Sequence, residues 1–118
     1  MNDSIRLVQD GGRDGRFTVA RSAYTEAELF DREMRLIFEA GWVYLAHESQ
    51  IAGAHDFITV RIGRKSVIVQ RGGEGAVHAF LNACPHRGSA LCRTEQGNQR
   101  MHVCPYHGWS FDSSGRNR

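Results

Sequence analysis

The sequence has no long apolar run, no excess of one charge and few cysteines. Its apolar stretches fall well short of the roughly 20 residues that cross a bilayer, which excludes a transmembrane helix. Lys and Arg total 15 against 13 Asp and Glu, a net charge of +2. A chain that binds nucleic acid or an anionic membrane through charge carries a larger excess. Met1-Asn2-Asp3-Ser4 opens with neither a basic nor an apolar region, so no secretory signal is read. The three cysteines, Cys84, Cys92 and Cys104, are an odd number. They argue for reduced thiols and a cytoplasmic setting rather than a disulfide framework. At 118 residues the chain suits one small domain, not a large two-domain enzyme.

What is present is ordered along the chain. Residues 1–22 are read as a mobile N-terminal arm, polar and rich in glycine at its start (Gly11, Gly12, Gly15). A helical segment over 23–41 follows. Thr25-Glu26-Ala27-Glu28 has the form of a capping box. Phe30, Met34, Ile37 and Phe38 then recur on one face of a 3.6-residue period. The spacing predicts a helix near 26–39 with those four residues as core, stopped by a left-handed Gly41. Trp42-Val43-Tyr44-Leu45-Ala46 reads as a strand. So do Phe57–Ile62, Ser66–Gln70 and Val77–Leu81, with turns at Gly63-Arg64 and at Gly72-Gly73-Glu74-Gly75. The last three strands form an antiparallel meander.

Two short motifs carry the chemistry. Cys84-Pro85-His86-Arg87-Gly88 is a C-x-H, and Cys104-Pro105-Tyr106-His107-Gly108-Trp109 is a C-x-x-H. In each, proline stiffens the loop and glycine lets backbone come close to a ligand. Two thiolates and two imidazoles allow two kinds of metal site. One is a tetrahedral zinc with all four ligands on one ion. The other is a two-iron, two-sulfide cluster with two Cys on one iron and two His on the other. The order C-H then C-H differs from the C-C then H-H of zinc fingers, which favours the cluster. Cys92, His47, His55, His78 and His102 are not read as ligands. Arg87 either supports its loop or helps a partner dock.

The stretch from Cys84 through Cys92, then Gly97, then Cys104 through Phe111, then Gly115, resembles the Rieske family. In particular it resembles the large subunits of bacterial aromatic-ring-hydroxylating dioxygenases. Phe30 through Ile51 is similar to the same subunits, most of all to those acting on benzoate and related aromatic carboxylates. The resemblance covers residues 24–115. It implies an all-β fold, a Rieske-type antiparallel β domain over 42–118 with two cluster-binding loops, preceded by the N-terminal helix. It implies Cys84, His86, Cys104 and His107 as ligands of a two-iron, two-sulfide cluster. The family's catalytic domain, with a mononuclear ferrous iron, is expected only downstream. The chain then reads as an N-terminal, C-terminally incomplete fragment that transfers electrons without hydroxylating. Exposed sheet edges and apolar surface are the expected consequence.

Partners implied by the resemblance are a reductase or ferredoxin as electron donor and, for the complete protein, a small beta subunit and a homo-oligomer. A stand-alone Rieske-type ferredoxin and a zinc-stabilised binding module are the alternatives. Two ferric ions, two sulfides and two thiolates sum to zero, so one electron is accepted more readily than by a four-thiolate cluster. High-potential Rieske proteins tie their loops with a disulfide and give the cluster a Ser and a Tyr as hydrogen-bond donors. Ser89 and Tyr106 stand at the disulfide positions and Trp109 and Phe111 at the donor positions. The expected potential therefore lies near −150 to 0 mV, the lower third of the range of about −150 to +300 mV.

Overall fold

The computed structural model describes residues 7–118. The chain divides at Gly41 and Trp42 into two units.

In the first unit, Asp10 accepts the Gly12 N–H at 2.9 Å, and the chain reverses through a 3₁₀ turn, Gly12–Asp14, ended by Gly15 at φ 62°. The turn joins β1 (Val8–Asp10) antiparallel to β2 (Phe17–Val19). The expected arm over 1–22 is thus a hairpin in part of its described stretch; residues 1–6 lie outside the described residues. The helical segment is broken. α1 (Ser22–Thr25) and α2 (Ala27–Glu33) are separated by an extended Glu26, and a π turn, Met34–Phe38, continues α2.

Three expectations fail here, each for a local reason. The Thr25 hydroxyl donates back to the Arg21 carbonyl at 3.3 Å, and Glu26 caps α2 without a side-chain bond, so no capping box forms. Gly41 is not left-handed: its N–H meets the Ile37 carbonyl at 3.0 Å, and a Cβ would lie 2.9 Å from that same oxygen. Of the predicted core face only Met34 is buried, while Phe30, Ile37 and Phe38 are exposed. A short helix and a two-stranded hairpin offer no second layer to bury that face.

The second unit opens on residues 42–46, which pair with no strand among the described residues; the expected strand is an unpaired extended segment. Leu45 and Ala46 pack inward, and Trp42 and Tyr44 stand exposed. A 3₁₀ turn, Glu48–Ile51, follows, capped reciprocally by His47 and Gln50. The predicted meander forms: β3 (Asp56–Ile62), β4 (Lys65–Arg71) and β5 (Val77–Leu81) are antiparallel neighbours. A short β6 (Gln96–Asn98) completes the order β5-β4-β3-β6. β7 (Met101–Val103) and β8 (Ser110–Asp112) form a separate hairpin.

Register gives the four-stranded sheet two faces. One carries Phe57, Ile68 and Phe80, packed with Cys84, Leu91, Cys92, Cys104 and Phe111. The other carries Ile58 and Val69 under Ile51, with Leu45, Ala46, Val60 and Val67 around them. His102 of β7 is fully buried on the first face, edge-on to Phe57 and Phe80, with Nε2 3.0 Å from the Gln70 amide oxygen. Burial pushes its imidazole below the ordinary histidine range. The side carrying both loop cysteines is therefore the larger core. The mostly antiparallel β architecture agrees with the predicted fold class.

Candidate metal centre

The two motifs form one repeated loop. From Cys84, the N–H donates to the Ser89 carbonyl at 2.8 Å, and the Gly88 N–H returns to the Cys84 carbonyl at 2.7 Å. From Cys104, the N–H donates to the Trp109 carbonyl at 2.7 Å, and the Gly108 N–H returns to the Cys104 carbonyl at 3.0 Å. Gly88 and Gly108 close these turns at φ 73° and 75°. This left-handed backbone is strained for a residue with a Cβ. The C-x-H and the C-x-x-H thus share one backbone closure and differ in which turn residue is the imidazole.

Burial separates the donors. Cys84 and Cys104 are 3% and 2% exposed, at the floor of the loops and inside the larger core. His86 and His107 are exposed at the tip, ring centroids 4.6 Å apart and planes at 62°. The structure therefore pairs the sequence-predicted residues, Cys84 with Cys104 inside the core and His86 beside His107 at the surface. The Tyr106 N–H points at the Cys104 sulfur and holds its thiol below the usual range. Burial opposes that effect, while the His107 N–H, the Cys84 thiol and the Ser89 hydroxyl reinforce it.

Among the described residues no group of three His, Cys, Asp or Glu side chains is placed to hold a single ion. Paired donors fit a two-iron, two-sulfide cluster, where each iron takes two protein ligands and bridging sulfides fill the rest. Soft, buried thiols at one end and imidazoles at the other suit that group.

Beside the loops, Asn82 is a residue the sequence did not single out. Asn82 clamps the ends of the first loop: its amide nitrogen donates to the Cys92 carbonyl and its amide oxygen accepts the Cys92 N–H, both at 2.8 Å. No motif marks an Asn ten residues from its partner. Cys92 is buried with its sulfur against Thr94, away from the loop tips. Trp109 stacks on His86 at 5.0 Å and 9°, and Tyr106 leans on His107 at 3.8 Å. His55 adopts φ 69° with a buried Nδ1 that has no partner; it is not at the loops.

Known proteins resemble this chain along most of its length. The anthranilate 1,2-dioxygenase large subunit of Acinetobacter baylyi is 52% identical over 103 residues, spanning 87% of this chain and 22% of that protein. The 2-halobenzoate 1,2-dioxygenase large subunit of Burkholderia cepacia is 48% identical over 92% of this chain and 23% of its own length. A crystal structure of a naphthalene 1,2-dioxygenase variant bound to phenanthrene superposes on the whole chain with a TM-score of 0.85 and 38% identity, over 26% of that structure. The chain thus spans about a quarter of the length of these relatives. The model of the Rieske [2Fe-2S] domain matches residues 41–118, and the chain belongs to that family.

Proposed function

We propose that Cys84 and Cys104 hold one iron, and His86 and His107 the other, of a two-iron, two-sulfide cluster. On this reading the chain is the electron-transferring portion of the large subunit of an aromatic-ring-hydroxylating dioxygenase. The observation that carries it is the pair of matched loops, each with its thiol buried and its imidazole exposed. When bound, such a cluster accepts and passes on a single electron. The chain's own residues prepare for that task. Buried thiols keep water from the metal-binding floor, and backbone N–H groups favour the thiolate at Cys104. Exposed imidazoles put the exchange surface at the tip.

The complete subunit would dihydroxylate an aromatic carboxylate such as benzoate. It would use a mononuclear ferrous site outside these 118 residues, draw electrons from a reductase or ferredoxin, and assemble with a small beta subunit as a homo-oligomer. Relatives named for anthranilate, toluate and halobenzoate support the substrate class. That the matched relatives are large oxygenase subunits favours this over a stand-alone ferredoxin. Three free thiols suit a cytoplasmic setting.

A redox titration of the anaerobically reconstituted chain tests the reading. Trp109 and Phe111 offer no hydroxyl to the centre, and Phe111 is buried in the core. The expected result is a reversible one-electron wave in the lower third of about −150 to +300 mV. A midpoint above about +150 mV, or no reversible wave, would contradict it.

A further inference from the structure

The two loops have no covalent tie, since all three cysteines are free. Neither are they joined through the backbone: every backbone hydrogen bond within 84–89 and 104–109 closes inside its own loop. Only side chains bridge them. At the floor the Cys104 thiol meets the Cys84 thiol and the Ser89 hydroxyl. At the tip, His86 meets His107 and Trp109. The remaining bridge lies on the outer surface. The Arg87 guanidinium of the first loop sits over the Tyr106 ring of the second, 5.7 Å from its centroid. The same ring leans on His107, centroids 3.8 Å apart at 32°.

We infer that Arg87 and Tyr106 form a clasp that holds the loops together and, through the Tyr106 ring, positions the His107 imidazole. The attraction is that of a guanidinium for the negative face of an aromatic ring. Both residues are exposed, so their contact is not a by-product of core packing. Arg87 follows His86 directly and Tyr106 precedes His107 directly, so each half of the clasp flanks an imidazole. Opening it frees the two rings to separate. Arg87 and Tyr106 act through His107 and are positioning residues, not ligands. The inference rests on the proposed ligand set for its consequence, but not for the contact itself.

A double-mutant cycle on the full chain tests it, read by the rate at which a chelator bleaches the reconstituted cluster. Arg87→Ala and Tyr106→Leu should each speed bleaching about two- to fivefold, the exposed value of such a contact. The double variant should be no faster than the faster single one. Tyr106→Phe, which keeps the ring, should bleach at the parent rate. Independently of any metal, the Arg87 side-chain protons in the metal-free chain should show upfield ring-current shifts, lost in Tyr106→Leu and kept in Tyr106→Phe. Multiplicative effects in the cycle, a Tyr106→Phe rate equal to that of Tyr106→Leu, or unshifted Arg87 protons would overturn the clasp. A parent chain that assembles no cluster would instead overturn the ligand set, and the proton shifts would still decide the clasp.

Discussion

Asp112 shows how a single side chain supports the second loop from behind. Its Oδ1 accepts from the Ser114 N–H at 2.9 Å, the Ser114 hydroxyl at 2.6 Å and the Arg116 N–H at 3.2 Å. Its Oδ2 takes the Arg118 guanidinium at 2.8 Å. The Ser114 hydroxyl foremost, then the backbone and Arg118, hold the carboxyl far below its ordinary range against a smaller desolvation effect. A folded pKa below the unfolded one means the unfolded chain binds more protons as pH falls, so the stabilisation is present at neutral pH and fades in acid. Asp112→Ala should cost about 1–3 kcal/mol at neutral pH. In denaturant unfolding, that gap should hold down to about pH 4 and narrow below it; a gap that widens on acidification would contradict the assignment. Nothing in the sequence marks Asp112, because its partners are assigned by a turn that only the fold reveals. Cys84, His86, Cys104 and His107 could be proposed as ligands from the sequence because their chemistry and spacing are local. Arg87 could be read only as loop support or docking, since its partner lies in the other loop.

Among elements, the matched loops make a demand the strands do not. At Gly88 and Gly108 a Cβ would meet nothing within 4 Å, so the need for glycine is purely conformational. Gly97 differs: a Cβ there would lie 2.9 Å from the Phe57 ring. Gly108→Ala should therefore cost about 1–2 kcal/mol, a left-handed residue's penalty, and Gly108→Asn distinctly less, because Asn tolerates that region. Thermal or denaturant unfolding of the two variants checks the order; equal losses would mean that space, not backbone angle, sets the requirement. The long strands β3, β4 and β5 were legible from runs of β-branched residues bounded by glycine turns. The three-residue strands β6, β7 and β8 were not, since three residues show no period. Residues 42–46 carry strand composition yet pair with no strand among the described residues, and Phe30, Ile37 and Phe38 carry helix periodicity yet are exposed. Periodicity reports what a segment offers, and only the rest of the fold decides whether it is buried.

For the molecule as a whole, the four-stranded sheet is unequally covered. The face under the loops is filled by a core that includes both loop cysteines. The opposite face is covered around Ile51 and open toward the edge strand, where Val77 and Leu81 remain exposed. Both belong to β5, an edge strand of the sheet. No helix among the described residues is long and apolar enough to cross a membrane. The proposed cluster site lies where Cys84 and Cys104 share a core and His86 and His107 meet at the surface. Mössbauer spectroscopy of the chain reconstituted with iron and sulfide tests that pairing most directly. The expected result is two irons per chain in equal amounts, one with an all-sulfur environment and one with mixed nitrogen and sulfur ligation. A single iron environment, or material that binds zinc and stays free of iron, would contradict it.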